Sequence, residues 1–414
     1  MNSQEAAFQP HIARRQKLGA FWKAVFLLST LVGIVALAAL LLSILNDCFG
    51  AVALQFEVDP ASLAREGRPL EQLHSEELAE ILRERLSRGL LRRLESEKPL
   101  EERDRQELYD LVLDRVAKLQ VLKSWSLAES MLQRARIRDW ISANHPEAQL
   151  RFRSWVSGRF LVSPQSSVPE RAGVRAAVLG SLWMILITVV VAFPLGVGAA
   201  VYLEEYAREN AFTRILQVNI YNLAGVPSII YGILGLAVFV RLLGKLTSGA
   251  LFGVVDPATA NGRTILSAGL TLAALVLPLI IINSQEAIRA VPQSLRYSSY
   301  AVGATKWQTI WHHVLPGSFD RILTGTILAV SRAVGETAPL VVVGASTFVT
   351  RDPTSIFSKF TTLPIQIYQW TARPQAEFRR VAAAAIVVLL VLLLTMNTAA
   401  ILMRDRISRK RRET

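Results

Sequence analysis

Two ionisable residues, Arg332 and Glu336, stand inside an otherwise uncharged stretch of this sequence, residues 322–349. Their i, i+4 spacing puts both on one face of a helix. A charge at the mid-depth of a membrane helix costs about 2.5–3.5 kcal/mol, so such residues usually face a bundle interior or a water-filled path. A guanidinium offers a planar fork of donors to anionic oxygens, and a carboxylate can take up a proton. The pair could line a translocation path; the other reading is a self-neutralising pair that only tolerates burial. Enzyme chemistry is not encoded elsewhere, and no catalytic residue is expected. Gly244-Lys245-Leu246 lacks the preceding glycine and the following Ser/Thr of a phosphate-cradling loop. Gly344-Ala345-Ser346-Thr347-Phe348 lacks the final glycine of a nucleophile elbow. His74 and His145 have no companion at metal-ligand spacing, so no metal site is expected.

Long apolar stretches must position the pair. The chain has 414 residues, 51% of them hydrophobic, and a single cysteine, Cys48. That composition excludes a disordered chain and a disulfide scaffold. Residues 24–45, 176–203, 215–240, 264–285 and 381–403 carry no Asp, Glu, Lys or Arg, and 322–349 is interrupted only by the pair above. A helix needs roughly 20 apolar residues to cross the hydrocarbon core, so six transmembrane helices and an all-α, polytopic fold are expected. The first stretch is too long for a signal-peptide core and no Ala-x-Ala-like site follows it, so it reads as an uncleaved anchor. Placing both termini, 1–23 and 404–414, in the cytoplasm puts sixteen Lys and Arg in the inner short segments against eight in the outer ones. The net charge of +13 is thus largely a topology signal, with membrane lipid rather than nucleic acid as its partner. A multi-pass protein of the bacterial inner membrane is expected.

Residues 46–175 form an insert with 21 acidic and 21 basic residues. Leu78, Ile81, Leu82 and Leu86, and then Leu108, Leu111, Val112, Val116 and Leu119, recur at helical spacing, with Glu84/Arg88 and Asp114/Lys118 on the polar side. Pro99 should start the second of these helices, and 151–162 could form a small hairpin around Ser157-Gly158. A mainly helical periplasmic insert follows, acting as a cap or as a grip for a ligand or partner. Small residues such as Gly196, Gly198, Gly232 and Gly235 read as helix-packing positions, and Tyr368 and Trp370 as interface anchors.

Residues 286–319 are too polar to enter the bilayer and too patterned for a linker. Two short helices, 300–304 and 306–314, are expected along the membrane surface, with a bend at Gly303 and an end at Leu315-Pro316. Here the sequence resembles the permease subunits of ATP-binding-cassette (ABC) importers. Their motif is Glu-Ala-Ala, three residues, Gly, nine residues, Ile, one residue, Leu-Pro. Gly303 and Leu315-Pro316 fall at the right separation, while Tyr297-Ser298-Ser299 replace Glu-Ala-Ala and His313 replaces Ile. The resemblance implies a coupling loop that docks on an ATPase, with Ser299, Ala301, Gly303, Ala304, Lys306, Trp307, Leu315 and Pro316 as coupling residues. Gly225-Val226-Pro227-Ser228-Ile229-Ile230-Tyr231-Gly232, Leu277-Pro278 with Glu286-Ala287-Ile288-Arg289-Ala290-Val291-Pro292, and Ser331-Arg332-Ala333-Val334-Gly335-Glu336-Thr337-Ala338-Pro339-Leu340 look like the phosphate-importer permeases of the PstA type.

That resemblance implies a permease subunit passing inorganic phosphate across the inner membrane. The implied partners are a second homologous permease chain, two ATPase subunits and a periplasmic phosphate-binding protein. No cofactor is expected on this chain, because ATP and Mg would be used by the ATPase subunits. Arg332 and Glu336 become the expected substrate path, with the carboxylate accepting the proton that hydrogen phosphate carries and sulfate lacks. A related importer for sulfate, molybdate or an organic anion, and a membrane sensor or scaffold built on 46–175, stay open as alternatives.

Overall fold

In a computed structural model, which describes residues 3–65, 68–97, 99–117, 119–254, 261–345, 349 and 352–412, the chain forms two compact units, Met1–Ser154 and Trp155–Thr414. The first begins with helix α1 (Ser3–Cys48), whose apolar span from Arg14 is exposed on all sides, as a lipid-facing helix must be. The chain leaves α1 directly into strand β1 (Phe49–Phe56). Helices α2 (Ser75–Arg85), α3 (Arg88–Glu97) and α4 (Arg105–Val112) follow, then strand β2 (Leu119–Ser124), helices α5 (Leu127–Leu132) and α6 (Arg134–Asn144), and strand β3 (Gln149–Ser154). The strands form an antiparallel sheet in the order β2-β1-β3.

The first amphipathic helix expected in the insert is α2, with Leu78, Ile81 and Leu82 buried. The second is shorter than expected. Pro99 introduces only a 3-10 turn, Leu100–Glu102, and α4 starts after Asp104; a π-helical turn, Leu113–Ala117, then leads into β2, so Leu119 is in a strand. Glu84 pairs with Arg65 at 2.7 Å instead of Arg88, because α2 ends between them. Lys118 of the Asp114/Lys118 pair lies outside the described residues. The 151–162 hairpin does not form: β3 pairs with β1 across the insert, and Ser157 caps a short helix by accepting from the Phe160 N–H at 3.2 Å.

The second unit contains α7 (Gly158–Val162), α8 (Arg175–Val201), α9 (Ala211–Ala224), α10 (Ser228–Gly235), α11 (Gly244–Thr247) and α12 (Ile265–Arg289). It continues with α13 (Gln293–Ala301), α14 (Lys306–Thr309), α15 (Leu315–Val334), α16 (Ala338–Val343), α17 (Leu363–Thr371) and α18 (Ala376–Arg412). Residues 155–174, assigned to the insert by sequence, belong to this unit: Phe160 packs on Trp370, and the Gly173 carbonyl accepts from Gln366 at 2.9 Å. Trp370 is therefore buried between Phe160 and Phe378 and is not an interface anchor, whereas Tyr368 is exposed.

The hub is α12, buried on several sides and started by Thr264, which accepts from the Ser267 N–H at 3.4 Å. Glycines let the neighbouring helices close on it. A methyl added at Gly196 of α8 would lie 2.6 Å from Ile280, and one at Gly235 of α10 would lie 2.1 Å from Thr271. Gly198 meets no other part of this chain. Among the described residues four helices are long and apolar enough to cross a membrane, or five if α9 and α10, bent by 104°, count as one span. The stretch 322–349 is not one continuous helix, because α15 ends at Val334 and α16 restarts at Ala338.

Candidate functional site: two helix breaks and a connecting segment

Arg332 and Glu336 lie at the break between α15 and α16. Ile322, Gly325, Thr326, Ala329, Val330, Ala333 and Val334 form the buried face of α15, which leaves Leu328 and Arg332, one turn apart, on the open face. The Arg332 side chain is 62% exposed and that of Glu336 19%. Pro339 has no N–H to continue the ladder, so the helix closes with Gly335 and Glu336 N–H groups on the carbonyls of Arg332 (3.2 Å) and Ala333 (3.1 Å). Glu336 thus sits in the turn rather than on the helix, yet its carboxylate remains 3.8 Å from the Arg332 guanidinium. That distance is an ion pair too long for a direct hydrogen bond, so the donor fork stays available to an anion.

A second break packs against the first. After α9, Gly225-Val226-Pro227 turn the chain into α10, and the Tyr231 hydroxyl braces the bend by donating to the Leu223 carbonyl at 2.8 Å. A methyl on Gly232 would lie 2.6 Å from Pro339 Cα, so glycine is what lets α10 touch the start of α16. Two sequence segments more than 100 residues apart therefore build one discontinuous layer. From α15, Ser331 donates to Asn397 of α18 at 2.6 Å, a polar tie in an apolar setting.

In the connecting segment Gly303 adopts φ +86, the left-handed conformation that ends α13. Its N–H reaches the Tyr300 carbonyl at 2.9 Å, and the Ala304 N–H reaches Ser299 O at 3.2 Å. Thr305 then caps α14 reciprocally with Gln308. The bend is where sequence placed it, but Leu315-Pro316 does not end the helix. A π-helical turn, Ile310–Val314, precedes the proline, and the chain runs straight on into α15.

The expected coupling residues divide by exposure. Ser299 is buried, its hydroxyl 2.9 Å from that of Thr309, and so ties α13 to α14. Ala301, Gly303, Lys306 and Trp307 are exposed, while Ala304, Leu315 and Pro316 are half-buried. Trp307 stacks on Trp311 with centroids 5.5 Å apart, and Lys306 sits over the Tyr206 ring. With Tyr297 67% and Val302 85% exposed, the segment presents an aromatic and apolar surface.

Sequence reasoning missed the charges beneath this surface. Glu204 and Glu205 end the α8 span in a π-helical turn, Tyr202–Tyr206. Glu204 receives two hydrogen bonds from Arg289, both 2.8 Å, and one from Gln285 at 2.9 Å. Glu205 pairs with Arg296 at 2.9 Å, both more than nine-tenths buried, and Arg296 also donates to the Ile288 and Val291 carbonyls. Glu204, Glu205, Arg289 and Arg296, with Tyr297 and Lys306, line a cavity of about 260 Å³. The signal available was the Glu204-Glu205 doublet at a span end facing two isolated arginines. Among the described residues no group of His, Cys, Asp and Glu stands close enough to hold a metal ion.

Several known permeases are similar to this chain in sequence. A probable ABC transporter permease protein, YqgI, of Bacillus subtilis is 31% identical over 226 residues, covering 52% of this chain and 71% of its own. The phosphate transport system permease protein PstA 1 of Mycobacterium tuberculosis is 34% identical over 260 residues, 62% of this chain and 78% of its own. The PstA protein of Mycobacterium leprae is 35% identical over 237 residues, 56% and 70% of the two chains. Residues 192–413, which hold both helix breaks and the connecting segment, match the binding-protein-dependent transport system inner membrane component family, and the chain belongs to that family as a multi-pass inner membrane permease.

Proposed function

We propose that the chain is a permease subunit of an ABC importer that passes inorganic phosphate across the inner membrane. One observation carries this reading: Arg332 stands on the open face of α15, at the junction of two broken helices, with its donor fork beside a carboxylate. An arginine so placed in an apolar span needs a second chain or a water-filled path to face. The names of the Mycobacterium relatives support phosphate as the cargo. The Glu336 carboxylate accepts a hydrogen bond from the P–OH of hydrogen phosphate while Arg332 donates to its other oxygens, and sulfate, with no hydroxyl to donate, is repelled.

The open face of α15 meets a homologous second permease, completing a heterodimer. Both termini lie in the cytoplasm, where the segment from Ser299 to Pro316 docks on one of two ATPase subunits. Those subunits bind ATP and Mg; this chain binds neither. A periplasmic phosphate-binding protein delivers the cargo to the opposite side.

Uptake of radiolabelled phosphate and sulfate, in cells lacking the chain and in cells with it restored, tests the reading. Restoration of phosphate uptake alone is expected, with Arg332→Gln and Glu336→Gln each reducing it at least about ten-fold, the loss of one charge-assisted contact. Wild-type uptake in both variants, with the complex assembled, would remove the proposed path.

A further inference from the structure

Beyond α1, the described residues of the first unit leave an apolar patch open. Helix α6 packs Ile137 and Ile141 on Ala51 and Ala53 of β1, the central strand. On the edge strand β3, the register sets Phe152 beside Ala51 and Leu150 beside Ala53, yet they are 64% and 42% exposed. With Met131, Arg134, Ile137 and Arg138 they line a groove of about 270 Å³. Met131 and Leu132, at the end of α5, are 66% and 85% exposed. A cluster of large apolar side chains left in the open marks an interaction site.

The attachment of α5 shows what lies beside the patch. The Ala128 N–H donates to Asn46 Oδ1 at 2.7 Å, and the Ala51 N–H donates to Ser130 Oγ at 2.8 Å. These two bonds pin α5 across the junction where α1 becomes β1. Asn46 directly follows the apolar stretch 24–45, so the junction stands at the surface of the bilayer that α1 crosses. At 1.5 Å per helical and about 3.3 Å per strand residue, Ala51 is within roughly 15 Å of the hydrocarbon edge. Long side chains projecting from that height reach the headgroup layer. Arg134 and Arg138, spaced i, i+4 on α6, line the same groove as the apolar side chains.

We propose that this patch is a phospholipid-docking surface. Met131, Leu132 and Phe152 enter the headgroup layer of the leaflet from which α1 emerges, with Leu150 at its outer margin, and Arg134 and Arg138 hold headgroup phosphate oxygens. Apolar insertion together with arginine-phosphate contact supplies the two signals that stable surface anchoring requires. The proposal rests on α1 being a membrane span and is independent of the cargo.

The full-length chain in nanodiscs tests it. Leu132→Cys and Phe152→Cys, both at exposed positions, take an environment-sensitive fluorophore, while the native Cys48 is buried and unreactive. Glu76→Cys on α2 is the control. Quenching is read with phosphatidylcholine brominated high on its acyl chains, with and without phosphatidylglycerol. Both patch probes should be quenched well above the control, more strongly with phosphatidylglycerol, and Arg134→Gln/Arg138→Gln should remove that enhancement. Quenching at the control level overturns the proposal. Probes shielded from aqueous iodide yet unquenched by brominated lipid also overturn it, in favour of a protein partner. Quenching that ignores the arginine substitutions overturns the phosphate contact.

Discussion

Arg332 and Glu336 were legible because a charge in an apolar run is costly and therefore informative. What sequence could not show is that Glu336 leaves the helix at Gly335 and still stays 3.8 Å from Arg332. Glycines make the same point, since their letters are identical and their environments are not. Gly303 has φ +86 with open space around it, so Gly303→Ala should cost only the left-handed backbone penalty of about 1–2 kcal/mol. Gly232→Ala puts a methyl 2.6 Å from a backbone atom of Pro339 and must separate the two helix breaks. Thermal unfolding of the purified protein should therefore show Gly232→Ala melting below Gly303→Ala, and uptake should fall in the former first. Trp370 carries the converse lesson. Aromatic residues near span ends are common interface anchors, but Phe160, Gln366 and Phe378 belong to segments whose meeting no local pattern announces.

Between elements, the C-terminal end of α8 is joined to α12 and α13 by Glu204–Arg289 and Glu205–Arg296. The second pair is buried, so Arg296→Met leaves a desolvated carboxylate and should cost about 3–5 kcal/mol. Glu205→Leu/Arg296→Met removes both charges and should recover most of that loss, which chemical denaturation of the two variants will read. Because the same pairs connect the segment proposed to dock on an ATPase to a membrane helix, the double variant is expected to keep its fold while transport per ATP hydrolysed declines. In the insert, Glu77 caps α2 by accepting the His74 N–H at 2.7 Å. That bond is the largest effect and holds its carboxyl below the ordinary value of 4.5, with burial next and opposing it and Arg68 adding a smaller lowering. A depressed carboxylate stabilises the folded state fully above the unfolded value and loses that contribution as pH falls through the folded one. Hydrogen exchange in α2 should therefore accelerate, relative to intrinsic rates, below pH 4.5, and Glu77→Gln should flatten that dependence. The α2 helix itself was readable from Leu78, Ile81 and Leu82; the sheet was not, because β1 pairs with strands about 70 and 100 residues away.

For the whole molecule, the two units meet the sequence at Ser154 and Trp155 rather than where the apolar stretch begins. The register places Phe49 opposite Ser154, so the two ends of the insert are neighbours in space. Replacing residues 50–153 by a short Gly-Ser linker needs no rearrangement of either end. The shortened chain is expected to reach the membrane, melt cooperatively and retain uptake; loss of the folded permease unit would show that the insert is required for its folding.

Composition alone determined that the chain crosses a membrane several times, because a lipid interior admits only long uncharged helices and charges within them are conspicuous. Gly303 determined where the connecting segment bends, since φ near +86 is open to few other residues. Tertiary structure decided which breaks meet, that α14 runs through Pro316 into α15, and that Glu204 and Glu205 answer Arg289 and Arg296. Those outcomes depend on close approach between segments distant in sequence, where a missing methyl or a buried charge has meaning only through its neighbour.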